Sequence, residues 1–296
     1  MRSRLNGLEY SDNADRSGQP PVRRAAAGLI CTAILLTACG TDSSKQSMKM
    51  SMPMPASTSS AAHSHSGDAI AHFSVVSQNY LPNEDADVTI LIQDKWNRPI
   101  DNFELLHEKQ LHLIVVSKDL SYFAHLHPAY KGGGRFDIMT RFPSGGDYQL
   151  IADFAPQGMG ETVQSHWTHI GGQENKAEEL RPDASLTKIV GGNEATLSFD
   201  HLMAGMDLSM ALSIKNAETK LPETDLQPYL GSLAHAVAIS ADAKEYVHVH
   251  PNEPKGSDPN AVFTINFPKS GIYKIWGQFQ QHNEVFTVPF TIKVPD

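Results

Sequence analysis

Six histidines carry the plainest chemical signal in this 296-residue chain. Two phrases of the form His-x-His-Pro, His125-Leu126-His127-Pro128 and His248-Val249-His250-Pro251, each close an apolar run. Each has an upstream histidine, His112 or His235, and the three correspondences His112/His235, His125/His248 and His127/His250 share one offset of 123 residues. Imidazoles in such number suit Cu(II) or Zn(II). If Leu111 to Ser117 and Leu120 to His127 form a hairpin turning at Lys118-Asp119, His112 stands opposite His125, with His127 two residues further along the same face. Opposed Cβ atoms lie roughly 5 Å apart and diagonal ones roughly 7 Å, so three imidazoles reach one ion and leave room for water or a fourth ligand. The second copy repeats this register around Ala241-Asp242. The shared face also carries Ile114, Val116 and Phe123 in one copy and Val237, Ile239 and Tyr246 in the other, which puts each site at the end of an apolar surface. A competing reading keeps these histidines structural: strand imidazoles can hydrogen-bond carbonyls or one another, and a duplicated gene repeats structural residues as faithfully as functional ones.

A second set of soft ligands lies upstream. Met48, Met50, Met52 and Met54 alternate in a polar stretch, and His63-Ser64-His65 follows. A methionine row in a solvated segment buries nothing, whereas thioethers suit Cu(I). Compositional drift in a linker is the plain alternative. His107 falls on the opposite parity to His112, His166 and His169 do not share a strand face, and His201 with Met203 and Met206 forms a weaker soft cluster.

The elements that must position the histidines read as short strands. From about Ile70, apolar and polar residues alternate between Gly, Pro, Asn and Asp punctuation, with seven candidate strands up to Ile170 and seven more from Ala195 to Val294. Phe142-Pro143-Ser144-Gly145-Gly146-Asp147-Tyr148 is answered by Phe267-Pro268-Lys269-Ser270-Gly271-Ile272-Tyr273. This pattern predicts an all-β protein of two tandem immunoglobulin-like or cupredoxin-like antiparallel β-sandwiches, an internal repeat, at 69–172 and 185–296 with a linker at 173–184.

Residues 1–38 form a long polar n-region and a short apolar run, which suit a lipoprotein signal peptide. Leu36-Thr37-Ala38-Cys39-Gly40 resembles the bacterial lipobox, which implies lipidation of Cys39 and anchoring in the membrane. Residues 39–68 then read as a flexible tether. A net charge of -9 argues against nucleic acid as partner. Cys31 and Cys39 are the only cysteines, so neither sandwich can hold a blue-copper thiolate centre or a disulfide.

The phrases Leu111-His112-Leu113-Ile114-Val115-Val116 and His125-Leu126-His127-Pro128 resemble those of bacterial envelope lipoproteins with YtkA-like or FixH-like β-sandwich domains. That resemblance implies copper or heavy-metal handling. The expected function is a non-enzymatic, membrane-anchored, extracytoplasmic metal-binding protein that holds copper or zinc and exchanges it with a donor or acceptor protein. A structural or partner-binding pair of sandwiches is the alternative. No nucleophile elbow, phosphate loop or cofactor fingerprint is present to support an enzyme.

Overall fold

A computed structural model describes residues 68–177, 179–252 and 260–296. Every regular element among them is a strand, and no helix there is long and apolar enough to cross a membrane. The first repeat contributes β1 (Ala69–Ser77), β2 (Ala86–Asp94), β3 (Phe103–Glu104), β4 (Leu111–Ser117), β5 (Phe123–Leu126), β6 (Ala129–Gly132), β7 (Arg135–Thr140), β8 (Gly146–Pro156) and β9 (Thr162–Ile170). The second contributes β10 (Thr187–Val190), β11 (Asn193–Phe199), β12 (Asp207–Asn216), β13 (Leu226–Gln227), β14 (His235–Ser240), β15 (Tyr246–His248), β16 (His250–Pro251), β17 (Asn260–Asn266), β18 (Gly271–Gln281) and β19 (Glu284–Val294).

Each repeat is a two-sheet antiparallel sandwich, as the alternation predicts. In the first, β1-β2-β7-β6 faces a sheet built on β8-β4-β5, with β3 and β9 also pairing to β8. In the second, β10-β11-β12-β17-β16 faces the corresponding sheet built on β18-β14-β15, with β13 and β19 on β18. Strands β3, β6, β10, β13 and β16, of two to four residues each, were not among the strands expected from the alternation. The Pro-x-x-Gly phrases end in tyrosine corners. The Tyr148 hydroxyl donates to Ser144 O at 2.9 Å, and that of Tyr273 donates to Lys269 O at 3.0 Å.

Val88, Ile90, Leu113, Val115, Phe136, Leu150 and Phe154 fill the first core. Leu208, Met210, Leu212, Ala236, Ala238, Phe263, Ile275 and Phe290 fill the second. Strands β4 and β14 are buried along their whole length, on both faces. Their inner residues enter the two cores, while Ile114 and Val116 on β4 meet Val237 and Ile239 on β14 in a third apolar cluster that joins the sandwiches. Leu120, Ile151, Ala243 and Trp276 complete it, and Phe123 stacks on Trp276 with centroids 4.6 Å apart. The apolar faces beside the histidines therefore bury each other. The polar stretch between the repeats takes part too: Leu180 packs on this cluster, and Asp183 exchanges hydrogen bonds with the Thr291 backbone at 2.8 and 2.7 Å.

Candidate metal centre

The β4–β5 hairpin positions the first three histidines, in a register two residues away from the one expected. Ile114, not His112, lies opposite His125, and Leu113 lies opposite Leu126, while His127, just past the end of β5, has its ring 5.2 Å from that of His112. The loop has four residues, Lys118 to Ser121, closed by Ser117 N donating to Tyr122 O at 3.2 Å. Asp119 Oδ1 causes the difference. It accepts from Ser117 Oγ at 2.5 Å, from Ser121 N at 3.1 Å and from Ser121 Oγ at 2.8 Å, while Leu120 takes a φ of 57° and buries its side chain. The second copy builds the same loop with Asp242 and with Ala243 at φ 56°. A shift of two residues keeps every side chain on its face, so the three histidines still converge.

His112, His125 and His127 present ring nitrogens all within 4.8 Å of one another. Their ring centroids are 5.1, 5.2 and 4.7 Å apart. Four imidazoles on one tetrahedral ion have ring centroids separated by ~5 Å when each nitrogen sits ~2 Å from the metal.

Hydrogen bonding assigns the tautomers. His112 Nε2 lies 2.7 Å from Leu106 O, a pure acceptor, so this nitrogen carries the proton and Nδ1 presents its lone pair. His125 Nδ1 lies 2.7 Å from Gln278 Oε1, which accepts from it when His125 carries its proton on Nδ1. The remaining pair, His112 Nδ1 and His125 Nε2, meets at 2.9 Å. When both rings are neutral, two lone pairs face each other there and attract a cation. His127 Nε2 is buried with no hydrogen-bond partner among the described residues.

A proton is a poor choice of cation. Burial, followed by the neighbouring His112 and His127, holds His125 well below the usual imidazole range, against the raising effect of Gln278. Burial, then His112 and Lys109, pushes His127 down to about 4. Desolvation and crowding by other imidazoles keep these groups neutral, the form that binds metal.

The second copy does not keep its histidines to itself. His235, at the start of β14, stacks on His112 with centroids 5.8 Å apart and stands 4.8 Å from His125. His107 joins at 5.5 Å from His235 and 6.2 Å from His112. His107 lies in a turn with φ 43°, off the strand parity, a loop position from which it still reaches the cluster. Sequence reasoning also missed Gln278, which sits on a different strand of the other repeat. The backbone places His248 opposite Val237 in one sheet and His250 opposite Thr264 in the other. Cys39, Met48, Met50, Met52, Met54, His63 and His65 lie outside the described residues. Of the weaker candidates, His166 stacks on Phe73, His169 pairs with Asp147 at 2.8 Å, and His201 pairs with Asp200 at 3.0 Å. Met203 and Met206 are exposed, while Met210 is core.

Residues 68–170 and 188–296 each match one family model, described as a domain of unknown function, DUF8832. The chain belongs to the DUF8832 family. No curated protein matches it. Among solved structures, the DUF8832 pair is similar to invasin, a bacterial integrin-binding protein, at 12% identity and a TM-score of 0.23, over 75% of this chain and 39% of that one. It is similar to adhesin InvE of Yersinia pseudotuberculosis at 8% identity and a TM-score of 0.23, over 76% and 58% of the two chains. A two-domain fibronectin type III segment of chicken tenascin gives 12% identity and a TM-score of 0.22, over 77% and 100%. Scores this low carry no weight for what the DUF8832 pair binds.

Proposed function

We propose that this protein is a non-enzymatic metal-binding protein of the cell envelope that holds one copper or zinc ion on His112, His125 and His127. The observation that carries this reading is the convergence of three imidazoles whose ring nitrogens all lie within 4.8 Å of one another, with His112 Nδ1 2.9 Å from His125 Nε2. The buried, unpartnered His127 Nε2 supplies a third donor. Leu106 O and Gln278 Oε1 are the outer partners that orient ligand rings and fix their tautomers. A fourth position is open to His235, water or a partner's ligand. Lipidation of Cys39 would hold the protein at the membrane, and the Met48 to Met54 row with His63 and His65 would gather copper for transfer. Handling of copper or another heavy metal by YtkA-like or FixH-like domains is the same kind of task.

Titration of residues 59–296 with Cu(II) and with Zn(II) tests the reading. One tight site is expected, with nitrogen hyperfine structure in the electron paramagnetic resonance (EPR) spectrum of the copper form. The site should be lost in His125→Ala/His127→Ala, and unchanged stoichiometry in that variant would remove the triad as the site.

A further inference from the structure

The triad belongs to the first sandwich, yet its nearest support comes from the second. His125 Nδ1 donates to Gln278 on β18 of the other repeat. His235 of β14 covers His112 in a stacked contact. Phe123, two residues before His125 on β5, stacks on Trp276, two residues before Gln278 on β18. The strand pair that holds the ligands is therefore the surface through which the sandwiches dock.

Resting on the metal-binding reading, we infer that ion binding and docking of the two sandwiches are one coupled event, with Gln278 as the positioning residue that joins them. If the sandwiches part, His125 loses the acceptor that keeps its proton on Nδ1 and its lone pair on Nε2. The centre also loses the apolar wall that excludes water. The ion thus binds the docked form more tightly, and by linkage it must strengthen docking by the same factor. The repeat supplies a precedent for a carboxylate at this place: Asp153, the counterpart of Gln278, is buried opposite His112 and accepts from Tyr246 of the second sandwich at 3.1 Å.

Cu(II) titration of residues 59–296, which form one compact unit, tests this with three variants. Gln278→Leu keeps the bulk and removes the acceptor, and a 10- to 100-fold weaker affinity with an altered EPR spectrum is expected. Gln278→Glu restores an acceptor and should recover the affinity. Trp276→Ala touches no ligand and should still weaken binding several-fold. Hydrogen exchange of β4, β5 and β14 should slow when the ion binds the wild type. If Gln278→Leu and Trp276→Ala bind Cu(II) as the wild type does, or exchange is unchanged by the ion, the coupling is overturned while the metal site stands. A wild type that binds neither Cu(II) nor Zn(II) overturns the functional reading itself.

Discussion

The two hairpins that carry the histidines are built on the same device and meet at one cluster. Both use a Ser-x-Asp loop, with Ser117 and Asp119 in one and Ser240 and Asp242 in the other, and both place a buried left-handed residue at its tip. The first hairpin gathers His112, His125 and His127 into one cluster. The second offers His235 to that same cluster, and its chain passes into the opposite sheet between His248 and His250. Several of the departures between the copies fall where one looks at the other: His107 answers Leu230, Ile151 answers Trp276, and Asp153 answers Gln278. Residues that face a private core can repeat unchanged, because each core meets the same partners. Residues that face the other copy meet different ones, and the pair becomes asymmetric.

Breaking the interface gives the largest expected effect. Ile114→Asp puts an unpaired carboxylate into the apolar cluster between the sandwiches, and a loss of about 3 kcal/mol or more is expected in denaturant unfolding. A change within 0.5 kcal/mol would mean that the cluster is not closed in solution.

The contributions of the two hairpins can be compared next. His125→Ala/His127→Ala should weaken Cu(II) binding at least ~100-fold, about 2.7 kcal/mol, whereas His248→Ala/His250→Ala should cost less than ~10-fold. Equal losses would show that both hairpins hold the ion alike.

Acid should separate the hairpins by a different route. Because His125 and His127 have folded pKa values below those of the unfolded chain, the unfolded state binds more protons between about 6.5 and about 4. Stability of the metal-free protein is then intact above about 6.5 and falls as the pH drops through that window. His127→Gln should flatten the fall, as melting curves across the window would report, and an unchanged slope would count against a neutral buried imidazole.

The smallest contrast lies in the corners. The Tyr148 hydroxyl donates to Ser144 O and also meets Ser144 N and Oγ, while that of Tyr273 donates only to Lys269 O. Tyr148→Phe should cost about 1–2 kcal/mol and Tyr273→Phe about 1 kcal/mol. The reverse order in calorimetry would show that solvent replaces the extra bonds.

Much of the fold was legible because β-structure writes its burial into alternation. The strands from Asp87 to Gln93 and from Asp207 to Ile214 read directly, since one face is core and the other is not. Very short strands such as β16 left no period to read. The site was legible in part: parity put His112, His125 and His127 on one face, and that survived a register error because a slip of two residues preserves the face. The slip itself came from Asp119, whose side chain closes a four-residue loop where the dipeptide count suggested two.

By itself, then, the sequence determined that two similar sandwiches form, that neither holds a thiol, and that the first directs three histidines to one face. Only the tertiary structure decided that those two faces meet, so that His235 and Gln278 of one repeat complete the surroundings of the triad in the other. The physical reason is that a hydrophobic pattern records which side of a strand leaves water and carries no record of what it is buried against. Strands β4 and β14 are buried on both faces, and the cover of each outer face is the other copy.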